Sequence, residues 1–230
     1  MDIDDILKEL ESDINLKRPK SVNSAKIKED EYKKLVQIWI SERMSPELLP
    51  YESELIETIL KRLRSQVEII ELNSIELEKN DKDIKLKLLI IESEIERINF
   101  LVRSYLRLRL FKIDEYNLFI NNSDQEMVKL SKNELNYMVN HFKTICQLYN
   151  DSFLKNVPEH LQLLDDESGG ISMINKPDLD KMVFIKVINE IAEEITVGED
   201  DKVELEKDFI YAIRYRSVKR YIDSKDIVLI

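Results

Sequence analysis

The stretch IKLKLLIIESEIERINFLVRSYLRLRLFKI, residues 84–113, decides the fold. Apolar residues recur at 84, 88, 91, 95, 98, 102 and 105, in alternating steps of four and three. That alternation lines them up along one side of a helix as a coiled-coil-like seam. Neither glycine nor proline interrupts it, so one long helix is expected over about 84–120. Leu86, Ile90, Leu101, Leu108 and Phe111 lie off the seam and make the helix apolar on more than one side. A lone four-helix body would leave part of that surface bare, which a soluble monomer avoids. Leu101, Tyr105 and Leu108 are therefore expected in a large, permanent interface with a partner. Arg103, Arg107, Arg109 and Lys112 break the apolar run. Arg103 and Arg107 are four apart and share a face, while Arg109 is expected on another. Arginine's planar fork suits carboxylates inside an interface. Basic residues interleaved with Tyr105 and Tyr116 would also suit a nucleic-acid strand.

Working outward from this helix, the chain before it reads as helical too. Tyr32, Leu35, Val36, Trp39 and Ile40 form the apolar side of a helix over roughly 31–43, ended by Ser45-Pro46. Pro50 precedes a helix of about 51–79 with Leu55, Ile56, Ile59, Leu63, Val67 and Ile70 in its stripe. After the long helix, Ser131 with Glu134 three residues on is a capping-box pattern opening a helix of about 131–154. Pro158 sits near the start of a short helix through Leu164. Acidic residues and two adjacent glycines at Asp165–Gly170 mark a boundary. Beyond it the period shortens. Residues 183–187, 203–205, 209–213 and 227–230 read as strands, with a helical turn at 217–223. The fold class is mainly α: a long-helix bundle over residues 31–165, then a small β-rich domain over 166–230. Residues 1–14 form an amphipathic segment, and the polar stretch 15–30, with Pro19, reads as a linker.

Composition excludes more than it suggests. The net charge is −11, and residues 166–230 alone carry 15 acidic and 10 basic side chains, so neither part is a basic module. The three glycines stand at 169, 170 and 198. Gly-rich phosphate cradles and nucleophile elbows need glycine at sharp turns, so the first 168 residues offer none. The single cysteine, Cys146, permits no intrachain disulfide and favours a reducing compartment. The acidic start, Met1-Asp2-Ile3-Asp4-Asp5, is unlike a secretory or mitochondrial leader. No stretch approaches 18 uncharged apolar residues, so no membrane span is expected.

Candidates for chemistry are few. His141 and Cys146 are five apart, on different helix faces, so they make neither a helical metal pair nor a nucleophile and base. Glu92, Glu94, Glu96 and Arg97 read as charge pairing along a helix. Lys17-Arg18-Pro19-Lys20 is a short basic run, either a localisation signal or a solvated linker. Neither catalytic, cofactor-binding nor metal-binding residues are expected. In the N-terminal segment, Ile3, Ile6, Leu7, Leu10 and Ile14 share one face, with Asp4 and Asp5 at its start. It would pack back on the body, lie on a membrane, or dock in a partner's groove. Its acidic polar face disfavours anionic lipid, and the polar stretch after it favours docking.

Several segments taken in order resemble one family. They are Ser45-Pro46-Glu47-Leu48-Leu49-Pro50-Tyr51 after the Trp-bearing helix, Glu94-Ile95-Glu96-Arg97-Ile98-Asn99-Phe100, and Arg103-Ser104-Tyr105-Leu106-Arg107-Leu108-Arg109-Leu110. Val157-Pro158-Glu159-His160-Leu161-Gln162, Pro177-Asp178-Leu179-Asp180 and Tyr211-Ala212-Ile213-Arg214-Tyr215 follow. The chain is similar over nearly its whole length to the Sld-five family of GINS complex subunits. The resemblance implies a non-enzymatic, nuclear subunit without a cofactor, in a heterotetramer with three other GINS subunits. That assembly joins the MCM ring and its accessory protein in the replicative DNA helicase. Leu48, Leu49, Arg103, Arg107 and Arg109 would position the assembly. The residues Ile3, Asp4, Asp5, Ile6, Leu7 and Leu10 resemble a fungal peptide that docks on the trimeric hub linking helicase to polymerase α. The linker after that peptide and residues 189–202 look short for a fungal member, so loop contacts there are not carried over.

Overall fold

The computed structural model describes residues 22–76, 82–158, 162, 174–191, 195–196 and 202–230. The elements are α1 (Val22–Met44), α2 (Ser53–Glu76), α3 (Lys82–Glu115), α4 (Asn117–Asn121), α5 (Asp124–Met127) and α6 (Lys132–Ser152). A 3₁₀ turn (Leu154–Asn156), β1 (Met182–Val187), β2 (Ile195–Thr196) and β3 (Lys202–Val203) follow. The last elements are β4 (Ile210–Arg214), α7 (Tyr215–Asp223) and β5 (Ile227–Leu229). The chain is thus mainly helical and ends in a small antiparallel sheet region, the class that the periodicity indicated. It divides into two compact units.

The first unit contains α1 up to Trp39 together with Glu52–Ser104. Leu35 of α1, Ile56, Ile59 and Leu63 of α2, and Ile91, Ile95, Leu101 and Val102 of α3 are buried. The α2 and α3 residues follow the three-and-four spacing that puts one face of a helix inside. Each such side chain contributes roughly 1.5–3 kcal/mol when fully buried. The Trp39 indole N–H donates to Ser104 Oγ at 2.9 Å. Arg97 bonds Tyr32 and Glu94 and lies over the Tyr32 ring.

The second unit contains Ile40–Tyr51 and Tyr105–Ile230. One cluster joins Leu48, Ile113, Ile120 and Met138. A second gathers Val183, Ile185 and Val187 of β1 with Ile213, Tyr215, Val218, Ile227 and Leu229. The sheet order is β4-β1-β5, antiparallel throughout, and β2 pairs with β3 separately. Alternation along β1 turns Val183, Ile185 and Val187 inward and leaves Met182, Phe184 and Lys186 outside. Asp208, at positive φ, turns the chain into β4.

Several boundaries differ from those read in the sequence. The stretch 15–30, taken as linker, is helical from Val22 onward. Its polarity was misleading: beyond Pro19 it holds neither proline nor glycine, and Ala25, Lys26, Lys28 and Glu29 are good helix formers. The long helix ends at Glu115, and α4 and α5 fill what was read as its continuation and a loop. The turn expected at 217–223 is a helix of nine residues, and the strand β2 had gone unread. The capping box is formed: Ser131 Oγ accepts from the Glu134 N–H, and Glu134 accepts from the Ser131 N–H. The segment Asp165–Gly170, Gly198 and residues 159–161 and 163–164 of the short helix expected after Pro158 lie outside the described residues, and Gln162 between them is not helical.

Candidate functional site

The loop Ser45–Tyr51 forms the most organised polar site of the second unit. Proline at 46 ends α1, and proline at 50 keeps the chain extended before α2. A loop without ladder partners must satisfy its carbonyls elsewhere. Here α3 supplies the donors. Lys112 Nζ donates to Glu42 O at 2.6 Å, to Glu47 O at 2.8 Å and to Glu42 Oε1 at 2.8 Å. The Ser45 hydroxyl also donates to Glu47 O.

Arg109 stands beside Lys112 and is fully buried. Its Nε donates to Glu134 Oε1 at 2.7 Å, and Nη1 donates to Leu49 O at 2.6 Å and Glu42 Oε2 at 3.0 Å. Its Nη2 donates to Lys129 O and to Glu134 Oε2, each at 3.1 Å. All five N–H donors of the guanidinium are used. The guanidinium also lies over the rings of Tyr51 and Tyr105, which stack on each other. Burial disfavours the charge, but Glu134 and Glu42 outweigh it and hold the Arg109 pKa above its ordinary value. Lys112 behaves oppositely. Burial pulls its pKa down, and Glu42 only partly restores it. Burial also raises the Tyr105 hydroxyl.

On the loop's other side is Glu47, whose carboxylate is nearly inaccessible. It accepts from Tyr215 Oη at 2.7 Å, Lys219 Nζ at 2.6 Å and Lys129 Nζ at 3.0 Å. Burial by itself would raise the Glu47 carboxyl. The donors Lys219, Tyr215 and Lys129 together more than offset it and hold the pKa below the ordinary value. Burial and the Glu47 charge push the Tyr215 hydroxyl up. The described residues of the cluster bind charge to charge. Its chemistry is cross-linking by hydrogen bonds.

The residues singled out in the sequence fall into three groups. Leu48, Leu101, Tyr105 and Arg109 are buried inside the chain, and Leu49 and Leu108 are half-buried. Arg103 and Arg107 are exposed and have no ion pair among the described residues. Ile3, Asp4, Asp5, Ile6, Leu7 and Leu10 lie outside the described residues, as does His160. His141 Nδ1 lies 3.2 Å from Asp114 Oδ1, and Cys146 is a free, half-buried thiol. Among the described residues no acidic, His or Cys group could hold a metal, and no helix is long and apolar enough to cross a membrane.

Reasoning from sequence missed Glu42, Glu47, Lys129, Tyr215 and Lys219 as site residues and gave Glu134 only a capping role. It also set Arg109 apart from the seam. A signal was present: the four-and-three alternation that reaches Tyr105 continues to positions 109 and 112. Arg109 and Lys112 thus occupy core-facing positions, where a charge requires buried partners.

Comparison with known proteins divides the chain differently from the two compact units, because its first match runs across both. Residues 23–153 match the model of the GINS complex protein helical bundle domain. Residues 177–230 match that of the DNA replication complex GINS protein SLD5 C-terminus. DNA replication complex GINS protein SLD5 of Debaryomyces hansenii is 44% identical over 243 residues, covering 100% of this chain and 98% of that protein. The Yarrowia lipolytica protein of the same name is 38% identical, covering 100% of this chain and 85% of its own. The Schizosaccharomyces pombe protein is 32% identical, covering 84% and 89%.

Proposed function

The chain belongs to the SLD5 family of DNA replication complex GINS proteins, and from that premise we propose that it is a non-catalytic packing subunit of a heterotetrameric GINS complex in the nucleus. Its partners are then three other GINS subunits, and the assembly joins the MCM ring and its accessory protein in the replicative helicase. The observation that carries this is the bare apolar surface of α3. Leu86, Leu89, Phe100 and Phe111 are each about three-fifths exposed or more, at 59%, 62%, 63% and 66%. Aromatic and aliphatic side chains standing out from a long helix are the material of an obligate interface. Leu48, Leu49, Leu101, Arg103, Tyr105, Arg107, Leu108 and Arg109 belong to the same proposal, as residues that would form or stiffen the subunit interface.

Co-expression with the three sister subunits tests the proposal. Phe100→Ser with Phe111→Ser should lower the yield of tetramer on size-exclusion chromatography by at least tenfold, since interface hot spots often cost ~2 kcal/mol or more each. A stable, monodisperse monomer of the chain alone, with little dye-binding apolar surface, would count against it.

The residues Ile3, Ile6, Leu7 and Leu10 serve as anchors in a trimeric hub linking helicase to polymerase α. Ile6→Ala with Leu7→Ala should abolish hub capture by an otherwise intact tetramer. Unchanged hub affinity rejects the docking peptide. A nucleic-acid contact through α3 has Arg103 and Arg107 to draw on, because both are exposed and have no ion pair among the described residues. Arg109 and Lys112 are committed inside the chain. Direct DNA binding would weaken steeply with salt, and its absence at low salt removes this second role.

A further inference from the structure

We propose that Glu47 is an anchor that holds the β-rich C-terminal region in a fixed position on the loop Ser45–Tyr51. The two regions matched by separate family models, residues 23–153 and 177–230, meet at this carboxylate. Two of its three donors, Tyr215 and Lys219, come from successive turns of α7. The third, Lys129, comes from the turn before α6 and is itself held by Glu126.

Three features make this an anchor rather than an incidental ion pair. First, Glu47 is aimed before α7 arrives: Lys112 and Ser45 both bond its carbonyl, and Arg109 bonds that of Leu49. Second, its partner is equally well placed. The Tyr215 and Arg216 amides bond Lys181 O and Leu179 O, which fixes the first turn of α7 to the approach to β1. Tyr215 and Val218 of that helix are also buried in the sheet's core cluster. Third, an apolar contact accompanies the polar one, since Met44 packs against the same cluster. A carboxylate at 3% exposure would be costly without its donors, so separation of α7 from the loop is disfavoured on polar and apolar grounds together. The C-terminal region is therefore a fixed module and not one swinging on a tether.

Hydrogen exchange and limited proteolysis on the full chain, co-expressed with its sister subunits, test this. Glu47→Ala should speed exchange in α7 and β1, and cleavage between residues 158 and 177, on the order of tenfold or more. Exchange in α6 and at the Trp39–Ser104 contact should stay unchanged. Glu47→Gln keeps an acceptor for Tyr215 and should restore part of the protection. Should Glu47→Ala fail to fold, Tyr215→Phe combined with Lys219→Met should give the same regional pattern. Unchanged α7 exchange in these variants overturns the proposal. So does an equal rise in α6, which would mean general loss of the core. Loss of the tetramer with unchanged α7 protection would instead fault the packing-subunit reading.

Discussion

Replacing Arg109 with methionine keeps most of the volume and removes every donor of the buried guanidinium. Five hydrogen bonds are lost, two to the carbonyls of Leu49 and Lys129 and three to the carboxylates of Glu42 and Glu134. Breaking a buried pair by deleting one partner costs about 3–5 kcal/mol. The two carboxylates are not stranded equally. Among the described residues Glu42 keeps Lys112 at 2.8 Å, and Glu134 keeps the Ser131 N–H alone, at 2.8 Å. The lower end, about 3 kcal/mol, is expected, and it lowers the melting temperature by roughly 6–12 °C for a chain of this size. The assay is thermal and urea denaturation of the co-expressed complex. Adding Glu134→Leu to Arg109→Met tests the cause. If the cost comes from an unpaired buried charge, the double variant should regain about 1 kcal/mol, even after losing half of the capping box. A double variant less stable than Arg109→Met by the full cost of a second deletion would refute the charge argument. So would an Arg109→Met variant within about 0.5 kcal/mol of the parent. Arg109→Lys should recover little, because a point charge cannot reach four acceptors in the plane of a fork.

Three further outcomes are expected. Glu47 has a folded-state pKa below its ordinary 4.5, so on acidification the unfolded chain takes up the proton first. Its stabilisation is full above that value and lost as pH falls through the lower folded value, so the stability gap between parent and Glu47→Gln should narrow below about pH 5. A constant gap in pH-dependent denaturation would contradict this. Ser131→Ala removes one half of the capping box on α6 and should cost about 1 kcal/mol, seen in denaturation with early fraying of residues 132–135 by hydrogen exchange. Trp39→Phe deletes the donor to Ser104 and should cost about 1–2 kcal/mol in denaturant midpoint, while Ser104→Ala removes the acceptor of that bond at a similar cost.

The long helix was legible because one period explains it. Ile91, Ile95, Ile98, Val102 and Tyr105 repeat every 3.5 residues on average, and all but the half-buried Ile98 are buried. Strand β1 was legible for the analogous reason, since Val183, Ile185 and Val187 alternate with exposed neighbours. The site was not legible as a whole. Arg109 meets Glu42 across 67 positions and Glu134 across 25, and Glu47 meets Tyr215 across 168. Pairing over such separations leaves no local pattern, and a glutamate in the last turn of a helix looks like any solvated one. The start of α1 was missed for a different reason. A polar composition argues against a buried face, not against a helix.

The separation of Glu47 from its α7 donors has a consequence for biosynthesis. Chains are made from the N-terminus at roughly 5–20 residues per second, so about 8–34 seconds pass between Glu47 and Tyr215. During that interval the loop and α3 can assemble with Lys112, Arg109 and Lys129 in place, but the Glu47 carboxylate lacks two of its three donors. The nascent helical part therefore presents an acidic, incompletely matched pocket until α7 emerges. A frameshift or stop codon between Ser152 and Tyr215 would make that state permanent, which marks the truncated product for quality control even though α1–α6 are all encoded.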